Sequence, residues 1–116
     1  MINGNLKLYF VRFEYIEECR PCFHKFGITG HFDVLKRFKG DQYAKWHVRV
    51  INSAWGPEQL VREAEQHLLK MFPKNFWLEE KVVGVTELVK MNEVQIDTAA
   101  SFIRECEHKW YKMRHA

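Results

Sequence analysis

The chain has 116 residues, 47% of them hydrophobic, which is enough for one compact core and too little for two ordinary domains. No apolar run approaches the roughly 20 residues that span a bilayer, and residues 1–5 carry neither the basic nor the apolar part of a signal peptide, so a cytoplasmic location and no membrane partner are expected. A net charge of +3 permits a phosphate-bearing partner without the extreme balance of a nucleic-acid coat, three cysteines argue against a disulfide framework, and the 15% of aromatic residues is read mainly as core.

Residues 6–13 alternate Leu6, Leu8, Phe10 and Arg12 against Lys7, Tyr9, Val11 and Phe13, which predicts a strand covered on both faces. A polar connection over 14–21 leads to a second strand, Phe23 to Thr29, which returns antiparallel to the first. Gly30 ends it. Residues 31–39 then predict a short helix with Phe32, Val34, Leu35 and Phe38 inward, Arg37 in the last turn and Gly40 just past the end. Alternation over 45–52 predicts a third strand.

Pro57 suits a first helical turn and Glu58 the positive end of the dipole. The helix that follows runs to about Phe72, where Pro73 stops it, with a stripe of Leu60, Val61, Ala64, Leu68, Leu69, Met71 and Phe72. Glu65 falls inside that stripe, where a carboxylate needs a cation, a metal or hydrogen-bond donors to offset its desolvation. Val82-Val83-Gly84-Val85 is strand-like, and Thr86-Glu87-Leu88 reads as a turn or the start of a helix. Residues 97–113 predict a final amphipathic helix with Ala99, Phe102, Ile103, Cys106, Trp110 and Met113 on one face.

Four features keep a particular order: Lys7-Leu8-Tyr9 on the first strand, Lys25-Phe26-Gly27 with Thr29 on the second, Arg37 ten positions after that glycine, and Glu65 on the long helix. In this they resemble the GIY-YIG endonuclease superfamily. The form Lys25-Phe26-Gly27-Ile28-Thr29 is similar to a divergent phage-type branch whose second motif reads Lys-Ile-Gly-Ile-Thr. Residues 64–72 look like that branch's glutamate helix, and Gly84-Val85-Thr86-Glu87-Leu88 resembles its closing segment. The likeness covers about residues 6–89. It implies an α+β fold, a small antiparallel sheet of three or slightly more strands flanked by helices, with residues 1–91 as the family-like domain. Residues 92–116 add a helix packed on that domain or on a partner, which includes a second copy of the chain.

The resemblance also implies chemistry. Tyr9 would act as base or water-positioning group, Arg37 as phosphate clamp and Glu65 as ligand of one Mg2+ or Mn2+ ion, with Lys25 adding a point charge; these four form the implied catalytic set. Guanidinium forks match phosphate oxygens, and a hard carboxylate suits such ions. Lys25, Thr29, His31, Arg37 and Lys39 would contact DNA, and the family's late asparagine corresponds loosely to Asn75. Lys7 replaces the first motif's glycine and Lys25 the tyrosine that opens the second. Two functions are therefore expected: a metal-dependent endonuclease acting on DNA phosphodiesters, or a non-catalytic module of the same fold that binds nucleic acid or inhibits a host protein.

Two further signals compete. Cys19-Arg20-Pro21-Cys22, with His24 close by, supplies half of a tetrahedral zinc site, but no second half follows, because Cys106 and His108 point in different directions on a helix; zinc at Cys19 and Cys22 is not expected. Lys25, Arg37, Lys39, Lys45, Trp46, His47 and Arg49 together predict a basic, aromatic surface suited to nucleic acid.

Overall fold

The computed structural model describes residues 5–17, 19–78, 82 and 85–115. They form an α+β fold: β1 (Asn5–Tyr15), β2 (Phe23–Thr29), β3 (Trp46–Pro57), α1 (Glu58–Met71), β4 (Leu88–Val89) and α2 (Glu93–Arg114). The sheet is antiparallel throughout, in the order β3-β1-β2-β4. β1 is central because both of its faces are apolar: Leu8 and Phe10 point to one side, and Tyr9, Val11 and Phe13 to the other, all fully buried or nearly so.

The two faces carry separate cores. On one, Leu8, Phe10 and Phe26 pack with Val61, Ala64, Leu68 and Phe72 of α1 and with Ala99, Ile103 and Trp110 of α2. On the other, Tyr9, Val11, Phe13 and Phe23 pack with Val34, Phe38, Tyr43, Trp46, Val85 and Leu88. The second core is mostly aromatic: Phe13 stacks on Phe23 at 4.9 Å, and the Trp46 ring meets both edge-on. Thus α2 belongs to the core. Its indole Trp110 lies where a side chain at Gly56 would otherwise sit, a Cβ there falling 2.6 Å from the ring.

The predicted third strand is longer than its alternation indicates. A bulge opposite Phe10 and Val11 places Ile51 as an extra residue between Val50 and Asn52, and pairing then resumes through Pro57. Alternation breaks there, so Ser53 to Gly56 do not read as strand. Asn52 holds the bulge, its carboxamide oxygen accepting from the Ser53 N–H at 2.8 Å and its nitrogen donating to the Ala100 carbonyl at 2.9 Å.

Three other expectations change. The 31–39 helix is a single 3₁₀ turn, Val34–Phe38, because the Asp33 carboxylate caps the Leu35 N–H at 3.1 Å and fixes the start there. Val34 and Phe38 are buried as expected, but Phe32 and Leu35 face solvent. The fourth strand is Leu88–Val89, pairing with His24 and Lys25, where Thr86-Glu87-Leu88 predicts a turn or the start of a helix; of the strand-like Val82-Val83-Gly84-Val85, Val83 and Gly84 lie outside the described residues, and the Val85 N–H bonds the Val82 carbonyl at 3.0 Å. Finally, α2 begins earlier than its apolar stripe suggests, at a capping box in which Asn92 and Gln95 exchange side-chain to backbone bonds of 2.9 Å.

Candidate functional site

Register decides which side chains meet. Tyr9 on β1 pairs with Gly27 on β2, and Val11 with Lys25, so Tyr9, Lys25, Gly27 and Thr29 share the aromatic face of the sheet. The Tyr9 ring lies flat across Gly27. A Cβ at that position would fall 2.9 Å from the Tyr9 Cε1 and closer still to Cζ and the hydroxyl oxygen, which gives the motif glycine its physical reason. The Phe38 ring stands edge-on to Tyr9 at 5.4 Å, so the phenol is clamped between strand and 3₁₀ turn.

Arg37 comes from that turn, and its Nη1 donates to the Tyr43 hydroxyl at 3.3 Å. Lys25 is 8% exposed; its Nζ donates to the Thr86 carbonyl at 3.1 Å and, at 3.5 Å, to that of Phe26. An ammonium has three donors, so one remains for a ligand. Glu65 is half-buried on α1, and its charge acts on both Tyr9 and Lys25. β4 covers β2 only at His24 and Lys25, which leaves the β2 edge beside Gly27 clear of a further strand among the described residues.

Electrostatics ties the four together. Burial raises the Tyr9 hydroxyl to about 12, opposed by Arg37 and reinforced by Glu65 and Tyr43. Burial lowers Lys25, while Glu65 pulls the other way and Arg37 adds to the lowering. Burial raises Glu65, with Lys25 and Arg62 opposing and Glu87 reinforcing. Contact ion pairs elsewhere join Glu14 to Arg12 and Arg49, and Glu58 to Arg62; Lys25 and Glu65 instead attract across a gap in a partly desolvated site. Opposed charges that distort each other's titration are a common mark of functional sites.

Among the described residues, no group of three or more His, Cys, Asp or Glu side chains is placed to hold a metal. Hard oxygen donors are nevertheless present: the Glu65 carboxylate, the Glu87 carboxylate close enough to raise it, and the Thr86 carbonyl on Lys25. That chemistry fits a Mg2+ or Mn2+ ion that takes its remaining ligands from water and phosphate. Cys19 and Cys22 are free thiols, the first exposed and the second half-buried.

Of the remaining predicted DNA contacts, Thr29 is buried and its hydroxyl accepts from the His31 N–H at 3.1 Å, whereas His31 and Lys39 are exposed. The predicted basic, aromatic surface is divided. Trp46 is buried in the second core with the Lys45 ammonium 5.1 Å over its ring, and Arg49 is bonded to Glu14 at 2.6 Å. Asn75 ties its loop to β4, its N–H donating to the Leu88 carbonyl at 3.0 Å and its side chain exchanging hydrogen bonds with the Lys90 backbone at 2.7 and 3.3 Å.

The sequence reading missed Tyr43, Thr86 and Glu87. Glu87 adopts φ +58, a left-handed conformation uncommon for a residue with a side chain, and its turn carries both the Thr86 carbonyl and a second carboxylate to the site. Only the resemblance of 84–88 to a closing segment pointed there. No family model, no curated protein and no solved structure matches the chain.

Proposed function

We propose that this face is a phosphodiester site and that the protein is a metal-dependent endonuclease acting on DNA. The observation that carries the reading is that Tyr9 and Lys25 share one face of the sheet and that both stand in the field of Arg37, from the 3₁₀ turn, and of Glu65, from α1. The GIY-YIG-like order of the same residues supports it. Arg37 sits at the rim, where a guanidinium can grip two phosphate oxygens. The free donor of Lys25 adds charge at the floor of the site. Tyr9, at about 12, keeps its proton at neutral pH and so positions the attacking water through a neutral hydroxyl, not as a phenolate base. Glu65, with Glu87 and water, would hold the divalent ion, which supplies charge stabilisation at the leaving oxygen.

A second reading is a binding module that has lost catalysis. It is favoured by the depth of the reacting groups, Tyr9 being 1% and Lys25 8% exposed, and by the engagement of Lys25 with two carbonyls. Incubation with supercoiled plasmid in magnesium, in manganese and in EDTA separates the two. Nicking that requires the metal supports the endonuclease. Salt-dependent retardation of DNA without nicking in either metal supports the module, and neither activity overturns both.

A further inference from the structure

Resting on the phosphodiester reading, we infer that the end of the sheet beside Tyr9 is a stacking platform for an unpaired nucleotide base, so that the site prefers single-stranded or frayed nucleic acid to blunt duplex. The platform is Phe32 backed by Trp55, with Lys7 and Arg114 as its cations.

The register builds it. Trp55, Lys7 and Thr29 lie in one cross-strand row, and Ser53, Tyr9 and Gly27 in the next row on the same face. Alternate residues of a strand are about 7 Å apart, so the platform is one nucleotide's reach from the Tyr9 site. Phe32 follows the Gly30-His31 turn out of β2 and is 72% exposed. One face of its ring is covered by the Lys7 ammonium, 4.0 Å from the centroid, and the Trp55 ring stands at 5.7 Å with an interplanar angle of 63°. The Arg114 guanidinium, at the end of α2, donates to the Trp55 carbonyl and brings a second cation to the same place.

A single exposed ring is ordinary on a protein surface. Here two rings and two cations meet at one end of the row that leads to Tyr9, a combination that matches a base with its backbone charge. Every base has a π-face, whereas the internal bases of a duplex have both faces already stacked, so the platform selects for unpaired substrate. Phe32 is exposed and belongs to neither core cluster, so its replacement should leave the fold intact.

The test is fluorescence anisotropy with a labelled single-stranded oligonucleotide and with the blunt duplex of the same sequence, at matched salt in EDTA, for the wild type, Phe32→Ala, Phe32→Leu and Phe32→Tyr. The wild type should bind the single strand more tightly. Phe32→Ala and Phe32→Leu should lose about 5- to 100-fold of that affinity, Phe32→Tyr should retain it, and duplex binding should be unchanged in all three. Unchanged single-strand affinity in Phe32→Ala, equal loss on both substrates, or full retention by Phe32→Leu overturns the platform; if the wild type still nicks plasmid, the phosphodiester reading stands. No binding to either oligonucleotide, together with no nicking, overturns both.

Discussion

Acidification from about pH 7.5 to about pH 5 should destabilise the fold by about 2 kcal/mol through His24 alone. The imidazole is 1% exposed, 5.6 Å from the Phe10 ring, and neither nitrogen makes a well-formed hydrogen bond within the described residues. Burial, assisted by Arg12 on the neighbouring strand and opposed by the Val89 backbone, lowers its pKa from 6.5 to about 4. The unfolded chain therefore takes up a proton in a range where the folded chain does not. Stability from neutral His24 is complete above the unfolded value, is lost as pH falls below it, and stops declining near the folded value. The two values set a limit of about 3 kcal/mol, of which about 2 is reached at pH 5. That is a large part of an ordinary domain's stability. Urea unfolding of the wild type and of His24→Phe at both pH values isolates the effect, because Glu14 and Glu65 titrate in both proteins and phenylalanine keeps the stack on Phe10. Equal loss of stability in the two proteins would refute the reasoning.

Gly27→Ala should cost about 1–3 kcal/mol in urea unfolding by overpacking against the Tyr9 ring, whereas Gly30→Ala, whose added methyl meets nothing within 4 Å, should be close to neutral in the same measurement. Ile103→Ala, at a fully buried position of α2, should cost about 2–5 kcal/mol; a negligible change in urea unfolding would remove α2 from the core. Plasmid nicking at limiting magnesium should fall on the acid side as protons compete with the cation for Glu65, whose carboxyl burial raises, and more magnesium should move that limb to lower pH; a limb that does not move with magnesium concentration would argue that Glu65 does not bind the metal.

Much of the fold was legible because its strongest signals are local. Alternation marked β1 and β2, and the stripe from Val61 to Leu68 with Pro73 marked α1. What stayed hidden depends on partners distant in sequence. The second half of β3 follows a bulge held by Asn52 and α2, and β4 is only two residues that acquire strand character by pairing with His24 and Lys25. Phe32 and Trp46 exchanged roles for a similar reason: helical periodicity turned Phe32 inward, but the Asp33 cap begins the turn after it, while the alternation that suggested a surface for Trp46 could not reveal the aromatic core that covers it. At the site, Tyr9, Lys25, Arg37 and Glu65 were named because their order resembles that of the GIY-YIG superfamily. Glu87 and Thr86 were not, because a left-handed turn brings them in and nothing in their residue types announces it.

The central claim is that four side chains from four elements act as one phosphodiester site. Its most direct test is the rate of magnesium-dependent plasmid nicking by the wild type, Glu65→Gln and Arg37→Ala, compared at equal folded fraction by circular dichroism. Each substitution should slow nicking by about 100-fold or more, since each removes a charge aimed at the reacting phosphate; variants that are folded and nick at the wild-type rate would contradict the account.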